Sequence, residues 1–112
     1  MQRGEIWWAG LPSPRGSGPG YRRPVVIVQA DSFNRSRIQT VVVATITSNM
    51  KIADSPGNVV LPKRHSKLKR DSVINVSQVI TLDRSFLAER VTRLPLRLAQ
   101  ELDAGLRLIL AP

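Results

Sequence analysis

Three runs of β-branched residues constrain this chain more than anything else in it: Pro24–Gln29 (PVVIVQ), Ile38–Ile46 (IQTVVVATI) and Asp71–Leu82 (DSVINVSQVITL). Val, Ile and Thr are stiff about χ1 and pack well on a pleated surface, so such runs predict strands rather than helices. Four consecutive apolar residues, Val25 to Val28, suit a strand buried on both faces or the central strand of a strongly curved sheet. The third run alternates at Val73, Asn75, Ser77 and Val79. Gly4–Leu11 (GEIWWAGL) and Asn58–Leu61 add two shorter strands, and Phe86–Arg93 reads as a strand, with or without a helical turn before it. Trp7 and Trp8 are adjacent, so on a strand they point to opposite faces, one into the core and the other toward an edge, an interface or a base to stack on. Asp31–Ser36 predicts a short helical turn capped by Asp31. Pro95–Leu110 is the one long helix. Leu98, Leu102, Leu106 and Ile109 form its apolar stripe, Asp103 and Arg107 an i,i+4 pair, and Gly105 a place for close packing. One mainly β domain over residues 1–112, a small barrel with a C-terminal helix laid against it, accounts for this pattern.

Charge narrows the partners. Seventeen Lys and Arg stand against eight Asp and Glu, a formal net charge of +9 on 112 residues. A small basic domain seeks polyanions, nucleic acid first. There is no Cys and a single His, so no disulfide framework, thiolate metal site or metal-ligand spacing is available, and no metal or cofactor is expected. No run approaches the ~18 apolar residues of a membrane span, and MQRGEIWW lacks the apolar stretch of a signal peptide. A cytoplasmic protein is the expectation.

The segment between the first two strands, Pro12–Arg23, holds three arginines among Pro and Gly, and Arg22 and Arg23 come just before Pro24. A guanidinium at a strand root is better preorganised for a phosphate than one on a loose surface. Thr47-Ser48-Asn49 is a hydroxyl-rich cluster where the strand Ile38–Ile46 ends. Pro62–Arg70 (PKRHSKLKR) carries five basic residues in nine and reads as an exposed loop tracking an RNA backbone. This inventory suits metal-free RNA cleavage. The 2′-hydroxyl of the substrate supplies the nucleophile, and the protein must supply in-line positioning, stabilisation of the phosphorane's charge and proton transfer.

RGEIWWAGL, RGSGPGYRRPVVIVQAD, VVVATITSN, KRDSVINVSQVITLD and the closing helix, in that order, resemble the MazF/PemK (Kid) toxins, the ribonucleases of bacterial toxin–antitoxin pairs. The resemblance covers essentially the whole chain. It implies an SH3-related barrel of the PemK/CcdB type, a homodimer, and metal-independent cleavage of single-stranded RNA. It also implies a cognate antitoxin whose acidic, disordered end occupies the basic groove. By resemblance, Arg23 is expected to stabilise the phosphorane and is a candidate proton donor, and Thr47 is expected to hold the scissile phosphate. Ser17, Arg22, Ser48, Lys63, Arg64, Lys67, Lys69 and Gln78 are expected to contact RNA.

The departures from the family are specific. Gly18-Pro19 stands where many relatives have Glu-Gln, so a carboxylate able to act as base or to orient Arg23 is missing. Asn75 and Ser77 replace the Arg and Asp of the Kid branch, and Ser17 replaces that branch's His. Arg is a poor base, with a pKa above 12. His65 has a suitable intrinsic pKa for accepting a proton but sits in the basic loop. Two other functions fit the same barrel: a gyrase-poisoning toxin, whose branch relies on a Trp near the C-terminus where this chain ends Leu108-Ile109-Leu110-Ala111-Pro112, and an RNA-binding barrel without catalysis.

Overall fold

The computed structural model describes residues 1–11 and 21–112. Six strands, β1 (Glu5–Leu11), β2 (Tyr21–Ile27), β3 (Thr40–Thr47), β4 (Val59–Leu61), β5 (Ser72–Asp83) and β6 (Leu87–Arg93), form one antiparallel sheet in the order β4-β5-β3-β2-β1-β6. The sheet curls into a half-barrel. Helices α1 (Asp31–Asn34) and α2 (Lys63–Ser66) are single turns, and α3 (Leu96–Leu110) is the long C-terminal helix.

Bulges produce the curl, because an extra residue bends a strand and raises its twist. On β5, Val79 faces Ala44 but Asn75 faces Thr45, leaving Val76, Ser77 and Gln78 without partners across the ladder. Polar groups fix this bulge. The Asn58 Oδ1 accepts from the Val76 N–H at 3.0 Å, Asn75 Oδ1 accepts from the Ser77 N–H at 3.1 Å, and the Thr45 hydroxyl donates to Gln78 Oε1 at 2.8 Å. The simple alternation expected over Val73–Val79 is broken here, and Val73 and Ile74 are both fully buried. Two further register shifts, at Ile6/Trp7 and Trp8/Ala9, bend β1 against β6.

The central position of β2, between β1 and β3, explains its apolar run: Val25, Val26 and Ile27 have no exposure on either face. One face, with Ile6, Val26, Ala44 and Ile74, packs on Leu98, Leu102 and Leu106 of α3. The other gathers Ala9, Val25, Ile27, Val41 and Val43 inside the curl. Trp8 joins the first cluster and Trp7 the second, as their adjacency requires. Gly105 is where α3 meets the turn at Gly57. A Cβ on Gly105 would run into the Gly57 carbonyl oxygen, and Gly57 itself has a φ of 86°.

Several local expectations are corrected. β2 begins at Tyr21, so Arg22 and Arg23 lie within the strand rather than in the connection before it. Ala30, not Asp31, is the N-cap of α1. The Asp31 carboxylate instead accepts from the Arg3 N–H at 2.8 Å and from Asn34 Nδ2 at 3.0 Å, and the Arg3 bond holds it below the usual range. Asp103 pairs with Arg3 at 2.7 Å rather than with Arg107, tying the N-terminal segment to α3, while Arg97 and Glu101 make the i,i+4 pair of that helix at 3.9 Å. Ile109 is 45% exposed, so the buried stripe stops at Leu106. Pro62–Arg70 is not simply an exposed loop: it contains α2, with Ser66 fully buried and Leu68 in the α3-side core.

Candidate active site

A groove of about 550 Å³ opens where β2 and β3 part. The β2–β3 ladder ends at Val25–Thr45. Pro24, next in line, has no N–H to give a ladder. Carried two residues further, the same register sets Arg23 across from Thr47. Both side chains line the groove.

On β2, the pleat sends neighbouring side chains to opposite sides. Arg23 is half-buried, its backbone paired with Ala9 of β1 and its guanidinium 5.4 Å from the Tyr21 ring centroid. Arg22 turns the other way, 5.2 Å over the ring of Trp8. At the end of β3, the Thr47 hydroxyl oxygen accepts the Asn49 N–H at 3.1 Å. That bond closes the strand-end turn and orients the hydroxyl, which keeps its own hydrogen to donate. Ser48 lies beside it in the groove wall.

The basic segment supplies the opposite wall through Lys67, Lys69 and Arg70. Leu68, buried between them, anchors the segment. The Ser66 hydroxyl accepts the Leu68 N–H at 3.0 Å, and Lys67 adopts a left-handed conformation with φ of 59°. A bulky non-glycine residue there is uncommon, and it reverses the chain so that the following cations face the groove. Among the described residues, five cationic side chains and no carboxylate line this groove. Such a wall attracts an extended anion.

Of the residues singled out in the sequence, Arg22, Arg23, Thr47, Ser48, Lys67 and Lys69 come together here. Lys63 and Arg64 do not line the groove. Lys63 gives its backbone N–H to Asp71 Oδ1 at 2.9 Å, and Arg64 donates from Nε to His65 Nε2 at 3.3 Å, which leaves His65 engaged outside the groove. Gln78 sits in the β5 bulge on Thr45. Ser17 and Gly18-Pro19 lie outside the described residues. Trp8 and Arg70 line the groove and were absent from the expected set. Arg70 belonged to the basic run that drew attention, whereas nothing in the spacing tells which face of β1 meets the groove.

Glu5 is the buried carboxylate of the fold, 6% exposed at the start of β1. Burial pushes its pKa up. Hydrogen bonds outweigh this, from Arg90 Nε at 2.7 Å, the Trp7 indole at 3.1 Å and the Gln2 N–H at 2.8 Å, and hold the carboxyl below the ordinary value.

Comparison with known proteins places the chain in a family. Residues 2–110 match the family model described as PemK-like, MazF-like toxin of type II toxin-antitoxin system. The chain is 48% identical over 110 residues to Endoribonuclease MazF2 of Mycobacterium bovis, covering 98% of this chain and 96% of that protein. The same identity and coverage hold for Endoribonuclease MazF6 of Mycobacterium tuberculosis. Among solved structures, an endoribonuclease in complex with its cognate antitoxin from a mycobacterial species superposes with a TM-score of 0.80 at 19% identity, covering 99% of this chain and 95% of that one; this likeness speaks for the fold. The chain therefore belongs to the PemK-like, MazF-like toxins of type II toxin–antitoxin systems.

Proposed function

We propose that this chain is an endoribonuclease toxin that cuts single-stranded RNA without a metal, by attack of the substrate's own 2′-hydroxyl on the adjacent phosphate. The observation that carries this reading is the groove between β2 and β3, where Thr47 and Arg23 stand with four further cations, Arg22, Lys67, Lys69 and Arg70, and no carboxylate among the described residues. The identity to full-length relatives named endoribonucleases agrees with it. The described residues bring no three His, Asp or Glu side chains together, a poor donor set for a catalytic cation.

In this mechanism the Arg23 guanidinium and the Thr47 hydroxyl bind the non-bridging oxygens of the scissile phosphate. Their bonds strengthen as the phosphorane gains charge, which is where stabilisation lowers the barrier. Lys67, Lys69 and Arg70 hold the flanking phosphates and fix the strand in line. The bond from the 2′-oxygen to phosphorus forms as the bond to the 5′-oxygen breaks. The 2′-hydroxyl proton passes to water and the departing 5′-oxygen takes one from water, so the products carry a 2′,3′-cyclic phosphate and a 5′-hydroxyl. Neither a carboxylate nor an imidazole lines the groove among the described residues; what the described residues contribute is positioning and charge.

The same groove suits the acidic, disordered segment of a cognate antitoxin, which would block it as a substrate mimic. In this reading residues 1–112 act as one toxin domain in the cytoplasm. Two copies pair in this reading, supported by the apolar end of α3, where Leu108, Ile109 and Leu110 are 62%, 45% and 61% exposed. The test is incubation of purified protein with a long single-stranded RNA in excess chelator, with mapping of the ends. Cuts bearing 5′-hydroxyl and 2′,3′-cyclic phosphate ends support the reading. Intact RNA with inhibition of gyrase would point to the other toxin chemistry, and salt-sensitive binding alone to a non-catalytic barrel.

A further inference from the structure

One wall of the groove is not what a phosphate requires. Trp8 and Pro24 form a half-buried apolar surface beside the cations, with the buried Ile46 and Leu68 beneath the groove. A bare polyanion would leave that surface wet, whereas a nucleotide presents a flat apolar base beside a charged phosphate and covers both. Trp8 is the aromatic residue of this wall among the described lining residues. Its ladder neighbours are Pro24 on β2 and Glu89 on β6, and its inner side packs on the α3-side core. Only its outer side is open to a ligand, and there Arg22 lies over the ring, 5.2 Å from its centroid.

Arg22 is held loosely. Its partner is Glu89 at 3.5 Å, and the two side chains are 58% and 70% exposed, an ion pair of little strength in water. An exposed cation–π contact is also weaker than the stacking of a base on an aromatic ring. Exchange of guanidinium for base is therefore downhill, and the released Arg22 gains a phosphate in place of an exposed carboxylate. Trp7 offers no such platform: it packs on the opposite face and its indole N–H is bonded to Glu5.

We propose that Trp8 is the base-stacking subsite of this groove: a base splayed from single-stranded RNA takes the place of the Arg22 guanidinium on the indole, and Arg22 moves to a flanking phosphate. The ligand class rests on the RNA-cleavage reading above; the assignment of Trp8 goes beyond it. The chain has two tryptophans, so in a Trp7→Phe background Trp8 is the sole indole reporter. That protein is titrated in chelator with a short single-stranded RNA made uncleavable by 2′-O-methylation throughout, beside the same chain carrying abasic sites. Saturable quenching by the base-bearing strand, with binding but little quenching by the abasic strand, is the expected result. Trp8→Phe, which keeps an aromatic face, retains affinity within a few-fold, while Trp8→Leu weakens binding roughly tenfold to hundredfold, the range for losing one stacked base. If Trp8→Leu does not fold, the titration decides alone.

Binding of the base-bearing strand without change in Trp8 emission overturns the proposal. Equal quenching by the abasic strand or by polyglutamate does the same, as does unaltered affinity in folded Trp8→Leu. So does the absence of any binding. Failure of the RNA-cleavage reading is seen separately, as wild-type protein that leaves unmodified RNA intact in the same buffer.

Discussion

The role proposed for Arg23 rests on where its backbone is pinned. Ladder pairing with Ala9 and contact with Tyr21 hold a guanidinium fork at the groove mouth, opposite a hydroxyl whose oxygen is already oriented by Asn49. Arg23→Ala should cut RNA about 100- to 1,000-fold more slowly, the usual loss for one preorganised donor to a developing oxyanion. Arg23→Lys should recover little of this, because a point charge lacks the planar fork. Thr47→Val should fall comparably and Thr47→Ser stay near wild type, as measured by single-turnover cleavage, with thermal melts unchanged for the Arg23 variants. The resemblance singled out these two residues in the sequence, and the structure places both on the groove. Which tryptophan and which cations of the basic run meet the groove was not legible, because a groove wall is assembled from strand faces and from a loop that Leu68 folds back, and neither is a property of local spacing. Glu5 makes a different prediction. Its pKa is lowered, so its contribution to stability is fully present above its ordinary value of 4.5 and is lost as pH falls through the lower folded value. Asp31 acts in the same direction from its ordinary 3.8. Unfolding free energy should thus be flat near neutrality and drop in acid below about pH 4.5. Glu5→Gln should be less stable at pH 7 by about 1–3 kcal/mol, the range for a lost hydrogen-bonded charge partner, and should show a shallower acid limb in denaturant titrations.

At the level of elements, the strands and the long helix were readable because β-branched runs and a leucine stripe follow directly from side-chain geometry. Their ends were less so. β2 begins three residues early because Tyr21, Arg22 and Arg23 find a ready ladder on β1, a tertiary fact that no local propensity encodes. The β5 bulge depends on Asn58, distant in sequence, and was equally hidden. Gly105 is the case where a sequence expectation and the packing coincide. It lets α3 sit on the Gly57 turn, so Gly105→Ala should destabilise the protein by about 1–3 kcal/mol through overpacking. The helix-propensity gain of about 1 kcal/mol for Ala over Gly works against this loss without cancelling it. Calorimetry should record a lower Tm for this variant, while alanine at the exposed Gln100 on the same helix should leave it nearly unchanged.

For the whole molecule, the curled sheet converts a high net charge into a directed one: cations from β2 and from the segment after α2 converge on one groove, though they are more than forty residues apart. If the five groove cations each neutralise a phosphate, the logarithm of the affinity for single-stranded RNA should fall with the logarithm of salt at a slope of about −3.5. Lys69→Ala should flatten that slope by about 0.7 whatever the sequence of the RNA. The central claim is that the substrate carries its own nucleophile. It is tested most directly with two RNAs that differ only at the nucleotide 5′ of a mapped cut, one unmodified and one with a single 2′-deoxy sugar there, both in excess chelator. The deoxy strand should bind equally well and remain uncut at that position. Cleavage of the deoxy strand at that bond would contradict it.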